Sequence, residues 1–190
     1  MKPFYVLLFI FYLLLFAGCR PAAAPVSISK KPASINNVPQ TNLPLPPAKP
    51  LGEMSWTSFE GKTEKLADLK GKVVVLDFWA TYCGPCLEEI PHLNQLQAKY
   101  GRENLNIVGL HVGGEDDRPK VPAFVEKLKM SYQLATPEDA LISFIFNDRN
   151  DIPQTLILNR NGNMVERFVG FDENVKMNLD RLIEQTINEK

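Results

Sequence analysis

Val73-Val74-Val75-Leu76-Asp77-Phe78-Trp79-Ala80-Thr81-Tyr82-Cys83-Gly84-Pro85-Cys86 is the stretch that decides the fold of this chain. Its first part is almost continuously apolar, as a central strand buried on both faces must be. Its end opens a helical pattern from Leu87 on. Cys86, Ile90, Leu93 and Leu96 recur at three-to-four spacing, and the pattern stops near Tyr100-Gly101. Leu105 to Val112 reads as the next strand, so 73–112 predicts a right-handed βαβ unit. Cys83 and Cys86 fall at the strand-to-helix corner. Unpaired backbone N–H groups and the helix dipole favour negative charge there, and the thiolate is the reactive form of cysteine. Pro85 suits the first helical turn, where its missing N–H would have no partner. A dithiol so placed suits reversible disulfide exchange, with Cys83 attacking and Cys86 resolving the mixed disulfide.

A C-x-x-C pair is also compatible with half a zinc site or a permanent disulfide. A structural zinc site needs four ligands. The chain holds three cysteines and two histidines, His92 and His111, at no ligand-like spacing. A permanent disulfide across so short a loop would remove little unfolded-state entropy. Asp77 is a carboxylate in an apolar strand, so burial should raise its pKa and let it move protons at neutral pH. It is expected to assist deprotonation of Cys86. The competing reading is a strand-end acid that is solvated or paired with a lysine. His92 and His111 are expected as a helix-surface residue and a strand-end residue.

The N-terminus differs in kind. Lys2 precedes an uncharged apolar stretch from Phe4 to Ala17, closed by Gly18-Cys19. It is shorter than the roughly 20 residues a spanning helix needs and fits a signal-peptide core. Small residues and a cysteine at its end resemble the bacterial lipoprotein signal, which implies acylation of Cys19. Phe16 stands where that signal usually carries leucine. An uncleaved anchor, or cleavage near Ala22 to Ala24, are the other readings. Arg20 is not the aspartate associated with inner-membrane retention, which points to the outer membrane if the source is a diderm bacterium. From Pro21 to Pro50 the chain holds eight of its fifteen prolines, among Ala, Ser, Asn and Gln. Such a segment reads as an extended tether. The expected division is therefore a signal over 1–19, a tether over 20–50 and one folded domain over 51–190. The formal net charge of -1 gives no electrostatic case for nucleic acid.

Within the folded part, Met54 to Phe59 alternates and Glu60-Gly61-Lys62 turns, which predicts a small N-terminal hairpin. Residues 113–151 read as an insertion, with helices over Val121–Met130 and Glu138–Phe146 and a short strand near Tyr132 to Ala135. Ile152 to Leu158 is a strand with Pro153 at its start, and Asn161-Gly162 is a hairpin signal before Met164 to Val169. A last amphipathic helix should bury Val175, Leu179, Leu182, Ile183 and Ile187.

Over most of 51–190 these pieces resemble the thioredoxin superfamily, and within it the TlpA/ResA-like membrane-anchored thiol–disulfide oxidoreductases. Asp77 to Cys86 is very close to the thioredoxin active-site segment. Leu69-Lys70-Gly71-Lys72, Glu89-Ile90-Pro91 and the central insertion are similar to the TlpA/ResA branch. The resemblance implies an α/β thioredoxin-like fold, with a mixed central sheet flanked by helices. It implies that Glu89 tunes the thiols; a solvated first-turn acid is the alternative, and Glu88 reads only so. Pro91 should kink its helix. Pro153 matches a cis-proline that faces the dithiol and leaves the Ile152 backbone for an extended substrate. Trp79, Tyr82, Gly84 and Pro85 are expected to line the substrate contact, Tyr82 replacing the usual tryptophan. Gly109 falls where thioredoxin has a lysine beside the buried acid, which should make Asp77 harder still to ionise.

The function so implied is an extracytoplasmic disulfide reductase, lipid-anchored in the cell envelope and facing the periplasm or the exterior. Its partners would be protein thiols and disulfides and a membrane electron donor of thiol-transfer type, with the membrane held through Cys19. Apocytochrome c thiols or oxidised envelope proteins would be the substrates. No metal is expected, nor any cofactor beyond the Cys83–Cys86 pair, and the chain is expected to be monomeric. A disulfide oxidase or isomerase on the same site, and a non-enzymatic envelope binding protein, are the alternatives. Peroxide reduction is disfavoured. Leu76 and Ala80 stand where peroxiredoxins carry proline and threonine before the reactive cysteine.

Overall fold

A computed structural model describes residues 49–189. The expected signal, Cys19 and nearly all of the tether lie outside the described residues. The elements are β1 (Ser55–Ser58), β2 (Thr63–Lys65), β3 (Val73–Trp79), α1 (Cys86–Asn104), β4 (Leu105–His111), α2 (Val121–Leu128), β5 (Gln133–Pro137), α3 (Asp139–Ile145), β6 (Gln154–Leu158), β7 (Met164–Val169) and α4 (Glu173–Asn188). No described helix is long and apolar enough to cross a membrane.

Every residue of β3 and of β4 is buried, which is why both read as unbroken apolar runs. They pair in parallel, and β6 pairs antiparallel on the other side of β3. The seven strands run in the order β2-β1-β5-β4-β3-β6-β7, a mixed sheet with the thiol-bearing strand near its middle. Period-two alternation sends Val73, Val75 and Trp79 to one face, with Ile90, Leu93 and Leu96 of α1, Phe124 of α2, and Leu179 and Ile183 of α4. Val74, Leu76 and Phe78 go to the other, with Trp56 of β1 and Leu141 and Ile145 of α3. Each such aliphatic or aromatic side chain contributes about 1.5–3 kcal/mol by leaving water.

Several local expectations shift. The insertion supplies β5, over 133–137 rather than 132–135, and this strand joins the sheet between β4 and β1. The backbone passes Pro91 in helical geometry; α1 is instead interrupted at Gly101 (φ 71°, ψ 160°), a conformation open to glycine. His92 is no surface residue. It is buried, with Nε2 2.7 Å from Oδ1 of Asp180 on α4. Val175, Leu182 and Ile187 are half-buried, and Thr186 completes the seam of α4 beside Leu179 and Ile183. The sheet ends in three-residue β2 on one rim. On the other it ends in β7, which carries Glu166 and Arg167 and a register shift against Ile157/Leu158.

Candidate active site

The chain leaves β3 at Trp79 and turns sharply: the Cys83 N–H donates to the Ala80 carbonyl at 3.2 Å. Pro85 caps α1, and Cys86 is the first helical residue. Cys83 and Cys86 are joined in a disulfide. The Cys86 N–H donates to Cys83 Sγ at 3.3 Å, so a helix-terminal donor is aimed at the sulfur that would carry charge after reduction. Cys83 is 5% exposed and Cys86 fully buried, which makes an outer and an inner sulfur. Tyr82 (66% exposed) and Leu87 (40% exposed) stand out of the surface around them, with Gly84 and Pro85 exposed between.

Trp79 does not stand with them. It is fully buried, its ring stacked on Phe124 at 5.3 Å and edge-on to His111 at 5.1 Å, so it supports the corner from below and is closed to substrate in this conformation. The Ile152–Pro153 bond is cis. Phe78 pairs with Gln154, which sets Pro153 opposite Trp79, one position past the ladder. Pro153 is buried, and Ile152 is half-buried against the cluster that holds both cysteines.

Two carboxyl groups are buried on the side of the sheet that holds the inner sulfur. Asp77 is fully buried on the face of β3 that meets α1, and among the described residues no lysine bonds to it. Glu89 lies three residues after Cys86 on the same side of α1 and is also fully buried, unlike the exposed Glu88 beside it. Thr155, paired with Asp77 across β3 and β6, donates its hydroxyl to Glu89 Oε1. Burial drives the Asp77 pKa up from 3.8 to about 7, against a lowering hydrogen bond from the Tyr132 hydroxyl at 3.1 Å. Burial, and then the neighbouring Asp77 charge, push Glu89 well above the ordinary carboxylate range. One oxygen of each acid, Asp77 Oδ1 and Glu89 Oε2, has no hydrogen-bond partner among the described residues. Two such acids titrate as a pair that cannot easily carry two charges.

A second cluster escaped sequence reasoning. Asp117 is buried and accepts from the Thr81 N–H at 2.8 Å, from the Thr81 hydroxyl, from His111 Nε2 at 3.0 Å and from Lys120 Nζ at 3.5 Å. Burial would raise its pKa, but these donors outweigh burial and hold it at about 2. His111 is at the end of β4, as expected, yet buried. The cluster fastens the turn before Cys83 to the loop after β4. In the sequence, Asp117 closes the run Glu115-Asp116-Asp117, which looks like solvated loop. Tyr132 gave no signal either. Among the described residues no three His, Cys, Asp or Glu side chains gather as metal ligands.

Three comparisons fit this geometry. The chain is 32% identical over 114 residues to the thiol-disulfide oxidoreductase ResA of Bacillus cereus, covering 60% of this chain and 64% of that one. It is 30% identical over 111 residues to ResA of Halalkalibacterium halodurans, covering 58% and 61%. The matches thus span less than two thirds of these relatives' own length. The structure resembles a thiol:disulfide interchange protein of the thioredoxin family from Chlorobium tepidum TLS, with TM-score 0.60 and 26% identity over 74% of this chain and 99% of that one. The thioredoxin-like fold expected from the active-site segment is therefore the fold of this chain. The profile described as "AhpC/TSA family" matches residues 47–167, more than half of the sequence, and the chain belongs to that family.

Proposed function

We propose that this chain is an extracytoplasmic thiol–disulfide oxidoreductase that reduces protein disulfides through Cys83 and Cys86. The observation that carries the reading is the disulfide at the start of α1, with a slightly exposed outer sulfur and a fully buried inner one, on the helix that also carries the buried Glu89. In the reduced form the Cys83 thiolate attacks a substrate disulfide. A mixed disulfide forms and the first substrate sulfur leaves as a thiolate. The carboxyl pair, with Asp77 ionising near pH 7, takes the Cys86 proton. The Cys86 thiolate then attacks Cys83 Sγ, and the second substrate sulfur leaves with the bonding electron pair. The protein ends oxidised and the substrate as a dithiol. A membrane dithiol donor returns the two electrons.

Similarity to proteins called thiol-disulfide oxidoreductase ResA supports this chemistry. The Gly84-Pro85 dipeptide supports the reducing direction, since it is shared with thioredoxins of potential about -270 mV. The apolar Phe4 to Ala17 stretch ending at Gly18-Cys19 supports a lipid anchor and action in the envelope, with apocytochrome c or other envelope proteins as substrates. Dithiothreitol-driven insulin reduction tests the activity. The wild type should accelerate it, and Cys83→Ser should fall to the rate of dithiothreitol alone. A wild type at that background rate would leave only a binding protein. A redox potential near about -120 mV, like that of DsbA, would reverse the direction to oxidation. In cells, Cys86→Ser should stall as a mixed disulfide whose partner names the substrate.

A further inference from the structure

Asp77 has one hydrogen-bond donor among the described residues, and it is not a cation: the Tyr132 hydroxyl reaches Oδ2 at 3.1 Å, while Oδ1 has none. The position that lets Tyr132 in is Gly109, which pairs with Asp77 across β3 and β4. A Cβ at Gly109 would lie 2.8 Å from Tyr132 Cε2 and 3.0 Å from Trp79 Nε1. The bare backbone of β4 therefore makes the slot through which a phenol from the residue ahead of β5 reaches an acid on β3. The groups set against Asp77 are Glu89 of α1, Thr155 of β6, Gly109 of β4 and Tyr132. No lysine or arginine is bonded to either acid among the described residues.

We infer that Tyr132 is a positioning residue for the buried acid pair: its hydroxyl holds the Asp77 carboxylate and sets the pH at which that acid accepts the Cys86 proton. A hydrogen bond donated to a carboxylate favours the charged form, and in a site without a cation it is the main protein interaction that does. The catalytic consequence rests on the oxidoreductase reading. The effect on the carboxyl does not.

The test is a ¹³C NMR pH titration of the Asp77 and Glu89 carboxyls in the oxidised full chain. Tyr132→Phe keeps the ring and removes the donor. The first deprotonation of the pair should move up by about one pH unit, a tenfold change in proton affinity. An unchanged midpoint overturns the inference. If Tyr132→Phe does not fold, 3-fluorotyrosine at position 132, a stronger donor, should move the midpoint down, and an unmoved midpoint is again fatal. In stopped-flow exchange, Tyr132→Phe should slow the resolving step about fivefold at pH 7 and recover the full rate at higher pH. In an Asp77→Asn background it should add nothing, whereas a filler of space would slow both backgrounds alike. A wild type inert toward insulin overturns the proposed activity and leaves the carboxyl shift to decide this inference alone.

Discussion

Glu88 and Glu89 are adjacent and chemically identical, yet one is solvated and the other fully buried. The helical period decides between them: Cys86, Glu89, Ile90 and Leu93 share the face turned to the sheet. Asp117 makes the same point from a loop. Its cost of burial is offset by four donor contacts, two of them from Thr81. Asp117→Ala should leave the buried His111 ring without its acceptor and release the half-buried Thr81 turn, destabilising the protein by about 1–3 kcal/mol in urea titration. Asp117 is held at about 2, below its ordinary 3.8. Its contribution is therefore present above pH 3.8 and lost as pH falls through about 2. The difference between wild type and Asp117→Ala should shrink over that acid range, and a difference independent of pH would show that the carboxylate is not the stabilising group.

Among the elements, β4 works by what it omits at Gly109. Gly109→Ala should overpack the slot shared by Tyr132, Leu134 and Trp79 and destabilise by about 1–3 kcal/mol, read as a lower midpoint in chemical denaturation. Unaltered stability would mean that the three side chains shift freely. The elements legible in the sequence were those whose pattern is one-dimensional. The β3 run, the α1 seam from Cys86 to Leu96 and the Asn161-Gly162 hairpin all follow from local spacing. What was illegible depends on partners far along the chain. His92 is buried because Asp180 of α4 meets it 88 residues later. The burial of Glu89 depends on Thr155, and the neighbourhood of Asp77 on Tyr132, 55 residues away. Trp79 sat in a recognisable motif, but only the packing of α2 against it reveals a ring stacked inward on Phe124.

For the molecule as a whole, the acid pair links stability to pH. Burial raises Asp77 from 3.8 to about 7. A raised folded-state pKa contributes stability below the unfolded value that is lost as pH rises through the folded one. Wild type should therefore lose stability between pH 3.8 and about 7 relative to Asp77→Asn, and the gap should then level off. The relative gain of the variant between the two ends should be about 1–4 kcal/mol. Equal pH profiles in urea titration would place the charge elsewhere. The two rims of the sheet carry a different kind of consequence. One is only Thr63–Lys65 long, and the other is charged at Glu166 and Arg167 and out of step with its neighbour. Among the described residues, neither presents a long straight row of free amides on which a second copy could stack. The described sheet thus offers crowded molecules little template for fibre growth at either rim.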